Sequence, residues 1–494
     1  MLNSGLFKLV SGTDVRGVAV GNNGKINLTD DAVRRIACAF VKWLGVRYGI
    51  ENPVIAVGND SRISAPRILS AVKKALIESG VDVVYTGLSS TPSMFMILRH
   101  RNIDASIMIT ASHMPQDRNG LKFFTKKGGI DGKDLNEILS LAENGERLYG
   151  EGSYKEQPFI DEYSDMLVKK VEAECGKLPL KGKKIIVDAG NGAGGFFAEK
   201  VLKPLGADTD GSQFLQPDGN FPNHIPNPED SEAIQSLSRA VIKNRADLGV
   251  IFDTDVDRAA LVDGNGKEIN RNRLIALISA ILFKEKCGVI VTDSVTCDSL
   301  TEFIESLGGK HLRFKRGYKN VIDKCIELNE SGVYSPIAIE TSGHAAFKEN
   351  YYLDDGAYLV LKLLTSFAKQ AKTGKSLTSL IENFKEPAEE VEIRLTFNDN
   401  SEDYKTEGEK VISDLKNIAQ NDKSVQLAPD NYEGVKMRFE EGCVIVRMSV
   451  HDPVMPINAE SNITGGTKAV LEKLYLLLKD YRFLNLKNLQ NIIF

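Results

Sequence analysis

Short apolar runs recur along most of the chain, and each closes on small or polar residues. Val54-Ile55-Ala56-Val57 runs into Gly58-Asn59-Asp60-Ser61-Arg62, Ile185-Ile186-Val187 into Asp188-Ala189-Gly190-Asn191-Gly192, and Val289-Ile290-Val291 into Thr292-Asp293-Ser294. The runs are β-branched and barely alternate, and helical spacing follows, as over 65–79 and 296–307. That pattern predicts a buried parallel strand feeding a helix. The recurrences lie about one domain length apart, so the chain reads as a repeat of α/β domains. Further strands are predicted at Val81–Tyr85, at Ala105–Ile109 leading into Thr110-Ala111-Ser112-His113, and at Asp247–Phe252 leading into Asp253. Ligands of open α/β sheets gather at the carboxyl ends of strands, which gives polar residues there extra weight.

The rhythm changes near Ala388. Val391 to Phe397 alternates apolar and polar residues, as does Val435 to Val450, with helical spacing between. Two to four antiparallel strands with helices are predicted, making an α+β C-terminal domain. With 494 residues the chain has room for about three to five domains. Boundaries near Gly150, Gly266 and Glu386 give domains over 1–150, 151–266, 267–386 and 387–494. The apolar, Asn-rich tail from Tyr481 to Phe494 reads equally as a docking strand, a helix end or a frayed terminus.

Composition narrows the partners. The net charge is only -5 and no Lys/Arg tract recurs along one segment, which argues against nucleic acid. The cysteines 38, 175, 287, 297, 325 and 443 are scattered without a CxxC, so they read as reduced, buried thiols. Asp14 and Arg16 interrupt the N-terminal stretch and no long apolar run occurs. The expectation is a protein without membrane spans in the cytoplasm or another reducing compartment.

Four segments carry candidate chemistry. In Asp253-Thr254-Asp255-Val256-Asp257-Arg258, carboxylates at alternate positions after a buried strand can converge. A hard divalent cation, Mg²⁺ or Ca²⁺, would relieve their repulsion, and Arg258 adds a cation suited to phosphate. The plainer reading is a solvated acidic loop. In Thr110-Ala111-Ser112-His113-Met114-Pro115, Ser112 is either a nucleophile exposed at a sheet edge or a helix cap. Lys122, after the Asn119-Gly120 turn, either returns towards Ser112 or is a solvated lysine. Glu340-Thr341-Ser342-Gly343-His344 offers hydroxyl-binding groups and an imidazole, or a simple capping turn. Arg447-Met448-Ser449 before Pro453 can clamp a phosphate, although Arg-x-Ser alone says little.

Taken in order, these segments resemble the α-D-phosphohexomutase superfamily, the phosphoglucomutase/phosphomannomutase enzymes. TASHMP resembles the family's phosphoserine loop, DTDVDR its metal loop, ETSGH its sugar-recognition loop and RMSVHDP its phosphate loop. Ser11 to Gly17 and Asp218-Gly219-Asn220-Phe221-Pro222-Asn223-His224 add to the likeness, which spans nearly the whole chain. The resemblance implies four domains around a central cleft: three similar α/β domains with mixed sheets, then the α+β domain. It implies Mg²⁺ held by Asp253, Asp255, Asp257 and a phosphoryl oxygen on Ser112. Lys122 and His344 become the acid/base candidates, and Arg16 and Arg258 the charge stabilisers. His113, Gly317, Tyr318, Glu340 and Ser342 would meet the sugar phosphate, and Arg447 and Ser449 would grip its non-transferring phosphate. The implied reaction interconverts hexose 1- and 6-phosphates through phosphoserine 112 and a bisphosphate, with glucose 1,6-bisphosphate as activator, in a monomer or dimer whose fourth domain moves.

Several positions depart from the family pattern. Met114 stands for Asn, Thr254 and Val256 for two glycines, Thr341 for Glu, and Val450 and His451 are unusual in the phosphate loop. They leave nucleophile and metal ligands intact and put sugar choice in question. Glucose, mannose and glucosamine phosphates all stay open, the last as a phosphoglucosamine mutase. Two rival readings are a phosphatase using Asp253 as nucleophile and a non-catalytic sugar-phosphate sensor.

Overall fold

Strand Ala105–Ile109 is buried at every residue because the sheet around it is covered on both faces. It pairs in parallel with Val54–Asn59 and antiparallel with Arg118–Thr125. The full order runs Val10–Ser11, Asp14–Val18, Arg118–Thr125, Ala105–Ile109, Val54–Asn59, Asp82–Leu88, Tyr154–Glu156, with Gly128–Gly129 beside Arg118–Thr125. Successive side chains of a strand face opposite ways. Accordingly Ile107 and Ile109 join a core with Phe40, Trp43, Ile68 and Leu135 from helices Asp30–Tyr48, Ala65–Glu78 and Gly132–Glu143. Ser106, one step along, instead donates to the Met94 carbonyl of helix Thr91–His100 at 2.5 Å. That helix starts sharply, because Ser90 and Ser93 form a reciprocal capping box ahead of the apolar run.

In the computed structural model, residues 5–21, 25–145, 148–398, 403–449 and 452–494 are described. They divide into two compact units: residues up to Leu274 together with Ser342–Ser379, and Ile275–Thr341 together with Leu380–Phe494.

The first unit contains a second sheet. Ile185–Asp188 pairs in parallel with Leu248–Phe252, and Ala259–Asp263 and Glu268–Ile269 follow antiparallel. Its acidic loop therefore joins two strands of a hairpin, not a strand to a helix. The Ser112 loop likewise joins Ala105–Ile109 to the antiparallel Arg118–Thr125, so Ser112 caps no helix. The segment Glu340–His344 falls between strands Ile337–Ile339 and Ala345–Phe347. Three chemical motifs thus occupy one topological position, the exit of a buried strand.

In the second unit, Val289–Thr292 pairs in parallel with Lys310–Arg313 and Ile337–Ile339. The C-terminal sheet has six strands, more than the two to four predicted, in the order Gln426–Leu427, Val435–Phe439, Gly442–Val446, Val454–Ser461, Glu389–Phe397, Leu484–Asn485. All neighbours are antiparallel. Two of the extra strands are only two residues long, too short to show alternation. The tail is docked: Leu484 pairs with Phe397, and Leu489 and Ile493 of helix Lys487–Ile493 are buried. No disulfide links the six cysteines; three are buried, whereas Cys287 is exposed against expectation.

Inside this unit Asp298 gathers three cations: Arg313 at 2.8 Å, Lys436 at 3.2 Å and Arg438 at 2.5 Å. Burial alone would raise its carboxyl, but Lys436, Arg438 and Arg313 outweigh burial and hold it below the unfolded value of 3.8. A depressed carboxylate stabilises the fold above the unfolded value, and that contribution fades as pH falls through the folded one. Asp298→Asn should therefore cost about 3 kcal/mol at pH 7 in denaturant unfolding. The gap to wild type should close on acidification below pH 3.8; a gap independent of pH would refute the assignment.

Candidate active site

Asp253, Asp255 and Asp257 leave the end of Leu248–Phe252 and turn inward, with exposures of 0%, 0% and 2%. One oxygen from each lies within 4.8 Å of the others. The turn is tight because Val256 takes a left-handed φ of 67° and the Val256 amide donates to Asp253 O at 3.4 Å. Of Thr254 and Val256, only Val256 is left-handed. The Ser112 loop meets this turn: Ser112 Oγ donates to Asp253 Oδ2 at 2.9 Å and accepts from Arg258 Nη2 at 3.2 Å. Arg258 also bonds the same carboxylate oxygen through Nε and Nη2, both at 3.2 Å.

Lys122 sits on the returning strand Arg118–Thr125 and is no surface lysine. Its ammonium bridges Asp255 Oδ2 at 2.9 Å and Asp257 Oδ2 at 2.5 Å. Burial works against its charge, yet Asp255 and Asp257 hold it well above the usual lysine value. Thr91 donates to Asp255 Oδ2 at 2.5 Å, and the Thr91 amide donates to Asp255 O at 2.8 Å. The start of helix Thr91–His100 is thereby set against the acidic turn, where its dipole favours negative charge.

Lys122 and Arg258 are the cations paired with the three carboxylates, and His344 adds a third positive charge beside Asp257. Burial, then Asp257 and Asp255, push Asp253 well above the carboxylate range. Burial would also raise Asp257, but Lys122, His344 and Arg258 hold it far below. Asp255 Oδ1 and Asp257 Oδ1 are buried without any hydrogen-bond partner. Orphaned anionic oxygens in an all-oxygen donor set fit a hard divalent cation.

His113 Nδ1 lies 3.2 Å from Ser112 Oγ. Arg258, burial, Arg16 and His344 lower this ring to about 2, so it is neutral. His344 forms an ion pair with Asp354 and bridges backbone to Arg258. Burial would lower it, but Asp354 and Asp257 raise it to about 9, and the ring is charged at neutral pH. Arg16 is held by Asp14 at 2.7 Å. Ser342 is buried in this same unit at 7% exposure.

The other candidates lie in the second unit. The Gly317 amide donates to Glu340 Oε1 at 2.6 Å, at the start of helix Tyr318–Glu330. Thr341 Oγ1 donates to Asp293 Oδ2 at 2.7 Å. A cavity of about 380 Å³ is lined by Lys315, Arg316, Asn320, Tyr432, Met448 and Ser449, among others. Arg447, beside Met448, is 5% exposed, its Nε has no hydrogen-bond partner, and no carboxylate pairs with it among the described residues. Burial and then Arg316 lower its guanidinium. Val450 and His451 lie outside the described residues.

Sequence reasoning missed Thr91, Asp354, Asp293 and Glu433. Glu433 accepts from Ser294 Oγ at 2.6 Å and from the Arg316 amide at 2.9 Å. Asp293 follows the predicted strand Val289–Val291, and Asp354 stands in the Asp354-Asp355-Gly356 turn before an apolar helix, a signal that reads as a cap.

Comparison with known proteins bears on this arrangement. Three family models match: phosphoglucomutase/phosphomannomutase α/β/α domain I over residues 8–148, domain II over 161–266 and domain III over 270–386. The phosphoglucomutase of Neisseria gonorrhoeae is 29% identical over 465 residues, 93% of this chain and 94% of that protein. The phosphomannomutase/phosphoglucomutase of Pseudomonas putida is 29% identical over 427 residues, covering 85% and 87%. A crystal structure of a phosphoglucomutase/phosphomannomutase family protein from Burkholderia thailandensis superposes with a TM-score of 0.80 at 27% identity, covering 96% and 97% of the chains.

Removing the Lys122 charge should unbalance the cluster. In chelator, Lys122→Met should lose about 3 kcal/mol of unfolding free energy, because two buried carboxylates lose their cation. Millimolar divalent cation should narrow that loss. Equal stability with and without cation would count against the charge balance described.

Proposed function

Since the chain belongs to the phosphoglucomutase/phosphomannomutase family of α-D-phosphohexomutases, we propose that it interconverts hexose 1- and 6-phosphates by way of phosphoserine 112 and a hexose bisphosphate. The observation that carries this reading is the position of Ser112 Oγ, buried between Asp253 Oδ2 at 2.9 Å and Arg258 Nη2 at 3.2 Å. A hydroxyl there can carry a phosphoryl group whose oxygens meet fixed positive charge.

Asp253, Asp255 and Asp257 would hold Mg²⁺ together with the phosphoryl oxygen. Bound there, Mg²⁺ supplies neutralisation of the phosphoryl oxygens and of the carboxylates themselves. Arg258 stabilises charge on the transferring group and Arg16 adds positive potential beside it. Charged at neutral pH, His344 is suited to donate a proton, while neutral His113 stays beside the nucleophile as a hydrogen-bonding group. Lys122 rests as an ammonium, and its free-base form becomes accessible only when Asp255 and Asp257 are neutralised otherwise. Glu340, Ser342, Gly317 and Tyr318 serve the sugar, and Arg447 with Ser449 the distal phosphate. A buried guanidinium whose Nε has no hydrogen-bond partner supports the last assignment, because a phosphate oxygen can fill that place. A reducing, cytoplasmic setting fits six cysteines without a disulfide.

Two measurements test the reading. With Mg²⁺ and a trace of glucose 1,6-bisphosphate, conversion of glucose, mannose and glucosamine 1-phosphates is followed for wild type and Ser112→Ala. At least one sugar should turn over, and Ser112→Ala should reduce that rate about 10³-fold or more. A variant that keeps its rate would favour Asp253 as nucleophile. Arg447→Ala should raise KM about 10- to 100-fold, the scale of a lost charge-assisted contact, with a smaller change in kcat. An unchanged KM would remove Arg447 from the phosphate site.

A further inference from the structure

The segments Asn59–Arg62 and Asp218–Phe221 have no part in the chemistry above, yet they meet directly behind the Ser112 loop. We propose that Arg62 is a positioning residue that locks this loop in its reactive shape, itself held by Asp60 and Phe221. The proposal rests on Ser112 being the phosphorylated nucleophile and goes beyond it by assigning what shapes its loop.

One buried guanidinium, 1% exposed, serves four carbonyls of a single loop. Arg62 Nη1 donates to Pro115 O at 2.8 Å and Arg118 O at 2.9 Å. Nη2 donates to Met114 O at 2.6 Å and to Ser112 O. The remaining nitrogen, Nε, faces Asp60 Oδ2 at 3.3 Å. That same oxygen accepts from Thr110 Oγ1 at 2.7 Å, and Thr110 Oγ1 accepts the Ser112 amide at 2.9 Å. Both peptide groups of Ser112 therefore trace back to Asp60, one through Thr110 and one through Arg62.

Such restraint answers a need of the backbone. Ser112 has φ 51°, a region that is strained for a non-glycine residue and persists only where surroundings over-determine it. A planar fork with five donors can bind four carbonyls in fixed directions, which the point charge of a lysine cannot. The Phe221 ring lies 5.3 Å from the guanidinium and closes its open face. Gly219 makes that approach possible: a Cβ there would come within 2.5 Å of Ser61 O. Arg62 itself contacts no reacting atom, so its effect is on placement, where small errors cost about 10²-fold in rate.

The test compares wild type, Arg62→Lys and Arg62→Ala in the full chain, by steady-state kinetics and amide hydrogen exchange. Arg62→Lys keeps charge and reach, and should lower kcat about 10- to 100-fold with KM within about twofold of wild type. Amides of residues 112–118 should exchange about 10-fold faster while other segments stay at wild-type rates. Methylguanidinium should restore part of the kcat of Arg62→Ala and none of that of Ser112→Ala. Wild-type kcat and exchange in Arg62→Lys would overturn the proposal. So would loosening spread over the whole unit, which marks a merely structural role. Exchange is read without turnover, so an inactive wild type would sink the mutase reading while leaving the positioning role decided by the loop amides.

Discussion

Three buried carboxylates on one turn are the constraint around which the first unit is arranged. Their mutual repulsion in a poorly solvated site would expel the turn unless cations and donors surrounded it. The fold brings Lys122 from the Ser112 sheet, Arg258 from just before the strand that follows, and Thr91 from a helix start. Even so, Asp255 Oδ1 and Asp257 Oδ1 stay unbonded. A protein selected for stability alone would not leave two anionic oxygens in that state, because replacing such groups with apolar residues is often neutral or better. The two unmet oxygens make sense if a hard cation completes the site.

Placement of these groups follows from topology more than from local sequence. A strand buried on both faces has to deliver its chain to a polar region at its end, and the return strand pairs beside it. Ser112 and the acidic turn both occupy such an exit, and Lys122 and Arg258 lie on the respective return paths. One geometric device, used in both sheets, sets the Ser112 hydroxyl against the Asp253 carboxylate. It also explains why Lys122 is 4% exposed. A residue on a central return strand cannot reach solvent, so its charge is tolerable only against Asp255 and Asp257.

Much of this was legible in the amino-acid pattern, for identifiable reasons. Runs such as Val54–Val57 and Ile185–Val187 announce buried strands because no polar face has to be served. The spacing of Asp253, Asp255 and Asp257 announces convergence. What stayed hidden depends on contacts far apart in sequence. Lys122 reads as a surface lysine until the sheet order puts it beside a loop more than a hundred residues away. Thr91 reads as a helix start, and Asp354 as a capping residue. The two-residue strands Gln426–Leu427 and Leu484–Asn485 exist only because a neighbour pairs with them. Cys287 is exposed because it follows the end of helix Arg271–Leu282 and precedes the next strand, a position that its scattered spacing does not reveal.

The acidic turn also shows how a bend survives without glycine. Val256 holds φ 67°, where its branched side chain is strained by about 1–2 kcal/mol. Its side chain is fully buried, an amount of apolar contact that contributes about 1.5–3 kcal/mol in the opposite direction. The Val256 carbonyl accepts the Gly356 amide at 3.1 Å, which pins the same bend from outside. Gly356 can approach because a Cβ there would run into the Arg258 and Val256 backbones at 2.7 and 2.9 Å. The conformational freedom absent from the turn is thus supplied by its neighbour: glycine stands where chain meets chain, and valine where burial can hold the strained backbone. A turn fixed by packing has less latitude to shift than one fixed by glycine alone, so the geometry of Asp255 and Asp257 is set before any ligand arrives.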